Sequence, residues 1–368
     1  NIDATFTGVP HNGNIPFTIS RGSFTGVPYN GTNGVQITNI NDNYNLLGNP
    51  YPSAIDAQEF LATNTYHATT NPSGVIYGNV KLWTHGYQPA AIVNPFYGSF
   101  AYNYNANDYV TLNYLGASDP IGASNIIKSG QAFFVQMVDG TTGTGNVNFS
   151  NSMRLDASNN PYNNSGFFRN SNTPLERHRI WLDLIDSNNI VSGTLVGYAT
   201  DATNDFDTFF DAQSGVPGFM KMYSLINNDV YDIQGRSLPF DQNDQVPLGA
   251  TFVEAGNYTI ALNTIDGLFL DSTQNIFLED KLTNNIHNLK TTPYSFTASV
   301  GTFHDRLNSS VETIRSVQIF DLLGRDIAKF DNINNRSFTI QNVKPTQSTL
   351  LVKVTLSNGT VVSKKTIY

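Results

Sequence analysis

Cysteine is absent from the 368 residues, which removes disulfide frameworks, thiolate metal sites and cysteine nucleophiles together. Charge is scarce as well: Asp, Glu, Lys and Arg make up 13% of the chain, against about a quarter in an ordinary globular protein. Basic residues are the scarcer sign, 20 Lys and Arg against 29 Asp and Glu. No general positive field is therefore available to grip phosphate backbones, and nucleic acid is not an expected partner. No apolar run reaches the roughly 18 residues of a membrane-spanning helix, so no transmembrane segment is expected. Helical periodicity is confined to residues 53–64, where Ile55, Phe60 and Leu61 share a face. The chain opens Asn-Ile-Asp with neither Met nor a basic, apolar leader, so a fragment or a processed form is expected.

What is present is aromatic and amide-rich. Phe (24) and Tyr (18) are abundant, which argues against disorder, and the mix lacks the Ala, Glu and Lys excess of helical proteins. Alternating β-branched or aromatic segments recur at 35–40, 131–137, 146–150, 180–185, 257–262 and 350–356, each bounded by Asn, Gly or Asp clusters. This spacing predicts an all-β protein built of sandwiches or barrels. An Asn/Ser-rich stretch at 159–173 and a change of charge sign near 306–310 divide the chain into units of 1–165, 170–307 and 309–368. The first two are expected to be β-sandwich or jelly-roll-like domains, the third a small immunoglobulin-like sandwich. Residues 309–368 hold eight Lys and Arg against four Asp and Glu, a balance of +4, which leaves −13 for residues 1–308. The tail is electrostatically a different object.

Catalytic constellations are missing. The sequence has no HExxH, no Gly-x-Ser-x-Gly elbow and no phosphate-binding glycine motif, and an enzyme is not expected. His178, next to Glu176, has the partner a base would need to fix its tautomer; the plainer reading is a strand-opening residue among charges. Asp201, Asp205, Asp207 and Asp211 place oxygen ligands every few residues and form a candidate Ca²⁺ site. That stretch lacks the Gly and closing Glu of an EF-hand, and a loop whose Asp side chains cap turns is the preferred reading. Ca²⁺ is the one cofactor this pattern suggests. Trp83, Tyr102 and Tyr104 are candidates for stacking on sugars, although most aromatics in a sandwich are core or edge residues.

The tail is the most legible region. Val317-Gln-Ile-Phe-Asp321-Leu-Leu-Gly324-Arg325 reads as a strand entering a tight turn, with Gly324 where a positive φ is needed, and a second strand following through Ile327. A further strand is expected at 337–341. Leu350, Val352, Val354 and Leu356 alternate inward against Leu351, Lys353 and Thr355, and Asn358-Gly359 marks a hairpin before a closing strand at 361–368. Lys364 and Lys365 fit the guarding of an exposed sheet edge.

These tail motifs resemble the C-terminal sorting domain of cargo of the type IX secretion system of Bacteroidetes. Upstream, Gly48-Asn-Pro-Tyr-Pro-Ser-Ala-Ile-Asp56, Ser129-Gly-Gln-Ala-Phe-Phe134, Asn151-Ser-Met-Arg154, Phe167-Phe-Arg169, Glu176-Arg-His-Arg-Ile-Trp181, Ile276-Phe-Leu-Glu-Asp-Lys281 and Tyr294-Ser-Phe-Thr-Ala298 are similar to the long tails of flavobacterial surface proteins carrying the type C signal. The resemblance implies export through the periplasm to the cell surface. It also implies two partners, a large outer-membrane translocon barrel and its shuttle protein. Carried over by position, the recognition residues are Asp321, Gly324, Arg325, Lys353, Gly359, Lys364, Lys365 and Tyr368. An adhesive or glycan-binding role for residues 1–307, with or without Ca²⁺, is the alternative. Finally, independent domains need a flexible connection. The abrupt passage from Leu307 to Asn308 predicts that a linker has been closed over there.

Overall fold

The computed structural model describes residues 7–22, 29–30, 36–37, 42–84, 108–119, 124–140, 143–160, 175–214, 220–310, 314–321, 323–335, 340, 349–356 and 361–367. Within them the chain is all-β, apart from one helix, Ala57–Asn64, and two 3-10 turns. The helix begins where Asp56 accepts the Gln58 N–H at 2.8 Å, an N-cap bond. Ile55, Phe60 and Leu61 are fully buried, although Ile55 belongs to the short strand before the helix.

The first lobe centres on a four-stranded antiparallel sheet of Tyr44–Gly48, Ala132–Met137, Ile76–Trp83 and Tyr109–Leu112, in that spatial order. Alternation sends Leu47, Phe133, Val135, Val80, Leu82, Val110 and Leu112 to the core face. There they meet the helix residues Phe60 and Leu61, together with Ile19, Val147 and Phe149 from the paired strands Ile15–Ser20 and Thr144–Phe149.

In the second lobe a single large sheet runs through Asn285–Asn288, Phe277–Asp280, Gly301–Ser310, Gln245–Phe252, Met220–Ile226, Asp229–Ser237, Val191–Ala199, Arg177–Ile185, Gly256–Ile265 and Tyr294–Ala298. It curls until its ends meet. Tyr294 Oη, at one end, donates to Asp280 Oδ2 near the other at 2.9 Å, and Arg306 Nη1 donates to Thr297 O at 3.1 Å. The enclosed core includes Leu182, Val196, Met222, Leu248, Ile260, Phe269, Leu278 and Leu307.

These two lobes share a buried seam. Leu115 of the first packs with Trp181, Leu195, Phe210, Ala212 and Ile233 of the second. Trp181 Nε1 donates to Ala117 O, and Arg179 Nη1 to Leu115 O, both at 2.8 Å. A Cβ on Gly78 would run into Thr208 O across this seam, so the close approach requires glycine.

The tail forms a four-stranded antiparallel sheet in the order Asp326–Asn335, Ile314–Asp321, Thr349–Leu356 and Val361–Ile367. Val317, Ile319 and Leu350 are its buried residues, with Ala328, Phe330, Ile340, Val352 and Val354 packed against them. Most of the strand expected at 337–341 lies outside the described residues.

The expected break at Leu307 is not found. Leu307 and Asn308 are consecutive residues of the strand Gly301–Ser310, paired in register with Leu248 and Pro247 on one side and with Asp280 and Glu279 on the other. Backbone hydrogen bonding has absorbed the segment taken for the site of a linker. Three residues then separate Ser310 from Ile314, where the tail sheet begins.

Candidate functional site

The turn that opens the tail is built around one carboxylate. Asp321 Oδ1 accepts the N–H groups of Leu323 and Arg325, each at 2.9 Å, and Oδ2 accepts Arg325 Nε at 2.6 Å. The Gly324 N–H donates to Asp321 O at 3.0 Å, which closes a four-residue turn, and Gly324 takes a φ of +79°. The Arg325 N–H leads in holding the Asp321 carboxyl below its ordinary range, with the Arg325 guanidinium and the Leu323 N–H adding to it. Asp321 and Gly324 thus shape the turn, whereas Arg325 is displayed by it, with 76% of its side chain exposed. Leu323 stands beside it at 80% exposure, and Ile327 at 44%. The sequence had given no role to Leu323; its place between a turn-forming Asp and a positive-φ Gly was the available signal.

Among the lysines, Lys353 lies opposite Gln318 and Ser363 on one face of the tail sheet, and Lys365 shares that face opposite Leu351. Lys364 lies opposite Val352 and so points to the apolar face from the last strand of the sheet. An inward charge on a terminal strand disfavours pairing with a foreign strand. Gly359 and Tyr368 lie outside the described residues.

Asp201, Asp205, Asp207 and Asp211 are not brought together. Among the described residues no three metal-capable side chains converge. Asp207 Oδ2 accepts the Thr203 N–H and Asp211 Oδ2 the Asp207 N–H, each at 2.5 Å, while Asp211 Oδ1 accepts the Gly235 N–H at 2.7 Å. Through these bonds Asp207 and Asp211 fold the segment into a clasp between the lobes. Phe209 stacks on His67 at 5.7 Å and meets Tyr114 at 5.3 Å in the first lobe, while Phe210 packs into the seam. Burial pushes the Asp211 carboxyl up to about 7, against the pull of both backbone donors.

His178 follows the plainer reading. Its Nδ1 accepts the Leu268 N–H at 3.1 Å, which puts the ring proton on Nε2, 3.1 Å from Glu176 Oε1. Both nitrogens are used by the fold.

The upstream motifs turn out to contact one another. Asn49 Nδ2 donates to Ser53 O at 2.8 Å and to Ile127 O at 3.1 Å; Ser129 Oγ donates to Tyr51 O at 3.0 Å; Arg154 Nε donates to Ser53 Oγ at 3.0 Å and the guanidinium lies over the Tyr51 ring. In the second lobe Arg306 donates to both oxygens of Asp280, at 3.1 and 2.8 Å, and covers the Phe296 ring at 4.5 Å. These contacts tie the motifs together within the fold. Phe167, Phe168 and Arg169 lie outside the described residues.

One cluster had no signal in the sequence. Asp232 is buried between two lysines, with Lys221 Nζ 2.9 Å from Oδ1 and Lys81 Nζ 3.3 Å from Oδ2. Thr111 Oγ1 donates to Oδ2 at 2.8 Å. Lys81 and Thr111 belong to the first lobe, Asp232 and Lys221 to the second.

Comparison with known proteins gives two matches. Residues 1–309 match the family described as Domain of unknown function (DUF8693), and residues 304–368 the family described as Domain of unknown function (DUF8694). No curated protein and no solved structure matches the chain.

Proposed function

We propose, for a chain that belongs to the DUF8693 family with a DUF8694 match at its end, that residues 309–368 address an exported protein to the type IX outer-membrane translocon. Residues 1–307 are the non-catalytic body displayed at the cell surface. The observation that carries this reading is the rigid turn at Asp321–Arg325, which presents an exposed Leu323 and an exposed Arg325 from a small basic sheet. A residue that serves only its own hairpin has no need to be held outward in this way. The test places a fluorescent protein between a periplasmic leader and residues 309–368, or separately residues 170–368, at the C-terminus in a flavobacterial host. Either fusion reaching the surface supports the reading, and retention of both in the periplasm refutes it.

A glycan-binding body is the second reading, favoured by one observation. The face of the first lobe's sheet opposite its core, beyond the part that Lys81 and Thr111 bring to the seam, carries exposed Leu46 and Tyr109 with half-buried Phe134 and Trp83. Tyr109 lies 4.7 Å from the Trp83 ring and 5.9 Å from Phe134. Tyr102 and Tyr104 lie outside the described residues. Affinity electrophoresis in polysaccharide gels, with Trp83→Ala as the control, decides it: unretarded migration of the unaltered chain in every gel removes the reading.

A further inference from the structure

Resting on the reading of the tail as a recognised unit, we infer that its partner presents an apolar socket bordered by an acidic group. Leu323 is the side chain that enters the socket, and Arg325 meets the acid. An exposed leucine alone means little, because apolar atoms make up much of any protein surface. Here three features coincide. The Asp321 carboxylate holds the Leu323 and Arg325 N–H groups, so less ordering of these residues is needed when a partner closes over the tip. Arg325 spends Nε on Asp321 and keeps its two terminal nitrogens outward, free of any hydrogen bond among the described residues, in the forked arrangement that suits a carboxylate. Ile327, also exposed, adds apolar surface just beyond the turn.

Among the described residues nothing packs on Leu323, which is 80% exposed. Its side chain is absent from the core of the tail sheet, and the turn is held by main-chain donors that any residue supplies. Arginine is enriched among the residues that dominate protein–protein association energies, and a leucine beside it adds the apolar area it buries. The positive balance of the tail selects an acidic rim over a basic one.

The test uses the full chain behind a periplasmic leader in a flavobacterial host. Surface delivery is read by protease shaving of whole cells, and the unfolding temperature is measured on the purified protein. Leu323→Ser should lower delivery about ten-fold without moving the unfolding temperature. Leu323→Met should restore delivery, and Arg325→Ala should also reduce it. Deletion of residues 361–368 serves as the reference for a tail that is not read. If that deletion is delivered normally, the reading of the tail as an address fails. If the deletion is retained but Leu323→Ser is delivered like the unaltered chain, the address stands and the socket for Leu323 is refuted. Loss of delivery with a lowered unfolding temperature that Leu323→Met does not repair would assign Leu323 to folding and overturn the inference as well.

Discussion

The seam between the two lobes and the turn of the tail both rest on an aspartate paired with a basic side chain, and the two pairs behave differently because water reaches only one of them. Burial alone would push the Asp232 carboxyl up, but Lys221 and Lys81 overcome it and hold the group far below the ordinary carboxylate range. Its side chain is 4% exposed, so the ion pairs act in a medium that screens them little. The Asp321–Arg325 pair stands in solvent, where an ion pair contributes little to stability. The seam therefore keeps two lobes in one arrangement, while the tail leaves its charge available to something else.

That contrast breaks most visibly at Asp232. Asp232→Asn leaves two ammonium groups facing each other without a counter-charge, and the expected cost is about 3–5 kcal/mol in urea unfolding of the full chain. A loss of less than about 1 kcal/mol would mean that water enters the seam, and the distinction between the two regions would disappear.

Glycines sharpen the comparison next. Gly78→Ala drives a Cβ into the Thr208 carbonyl across the seam, and overpacking of this kind costs about 1–3 kcal/mol. Gly324→Ala meets no neighbouring atom and is opposed only by its φ of +79°, an effect of about 1 kcal/mol. Denaturant midpoints of the two variants should differ in that order.

Solution pH separates the regions again. Burial raises Asp211 to about 7 and Asp183 to about 6, so between the unfolded carboxylate range and these values the folded state binds more protons than the unfolded chain. Their contribution to stability is thus fully present below about pH 4 and is lost as the pH rises through 6 to 7. Asp321 is shifted downward; its contribution is present above about pH 4 and is lost only as the pH falls further. Midpoints measured from pH 5 to 8 should fall with rising pH. Asp211→Asn should flatten that slope, even though its Nδ2 would face the Asp207 or Gly235 N–H and lower stability throughout. An equal slope in the variant would show that Asp211 does not titrate in this window.

How much of this could be read from the chain follows the range of the interactions. The tail hairpins were legible because alternation and turn chemistry are local: Leu350, Val352 and Val354 face the core as their spacing requires, and Gly324 takes the positive φ its turn demands. The helix was visible for the same reason, from the spacing of Phe60 and Leu61, while its cap at Asp56 appeared only in the structure. The seam was not, because Lys81 and Asp232 lie 151 residues apart and an isolated lysine in a strand gives no sign that it is buried. The aspartates at 201–211 left two readings open for a related reason: oxygen-rich spacing suits both a cation and turn capping, and the Gly235 N–H that Asp211 accepts and the packing of Phe209 on His67 appear only in the folded arrangement. Position 307 looked like a junction because charge changes sign there, yet strand pairing ignores net charge and runs through it.

The smallest effect expected is that of Arg325→Ala on stability. Arg325 makes one side-chain hydrogen bond, through Nε to Asp321, and pairs of this exposure often contribute nothing measurable. The turn keeps its two bonds from main-chain N–H groups to the same carboxylate when the guanidinium is removed. Asp321→Ala removes that acceptor and should open the hairpin, seen as faster amide hydrogen exchange at Leu323 and Arg325. Arg325→Ala should leave those amides protected. If Arg325→Ala exposed the amides as fully as Asp321→Ala does, the guanidinium would be a brace of the turn, and the tail would resemble the seam in using its charge to hold itself together.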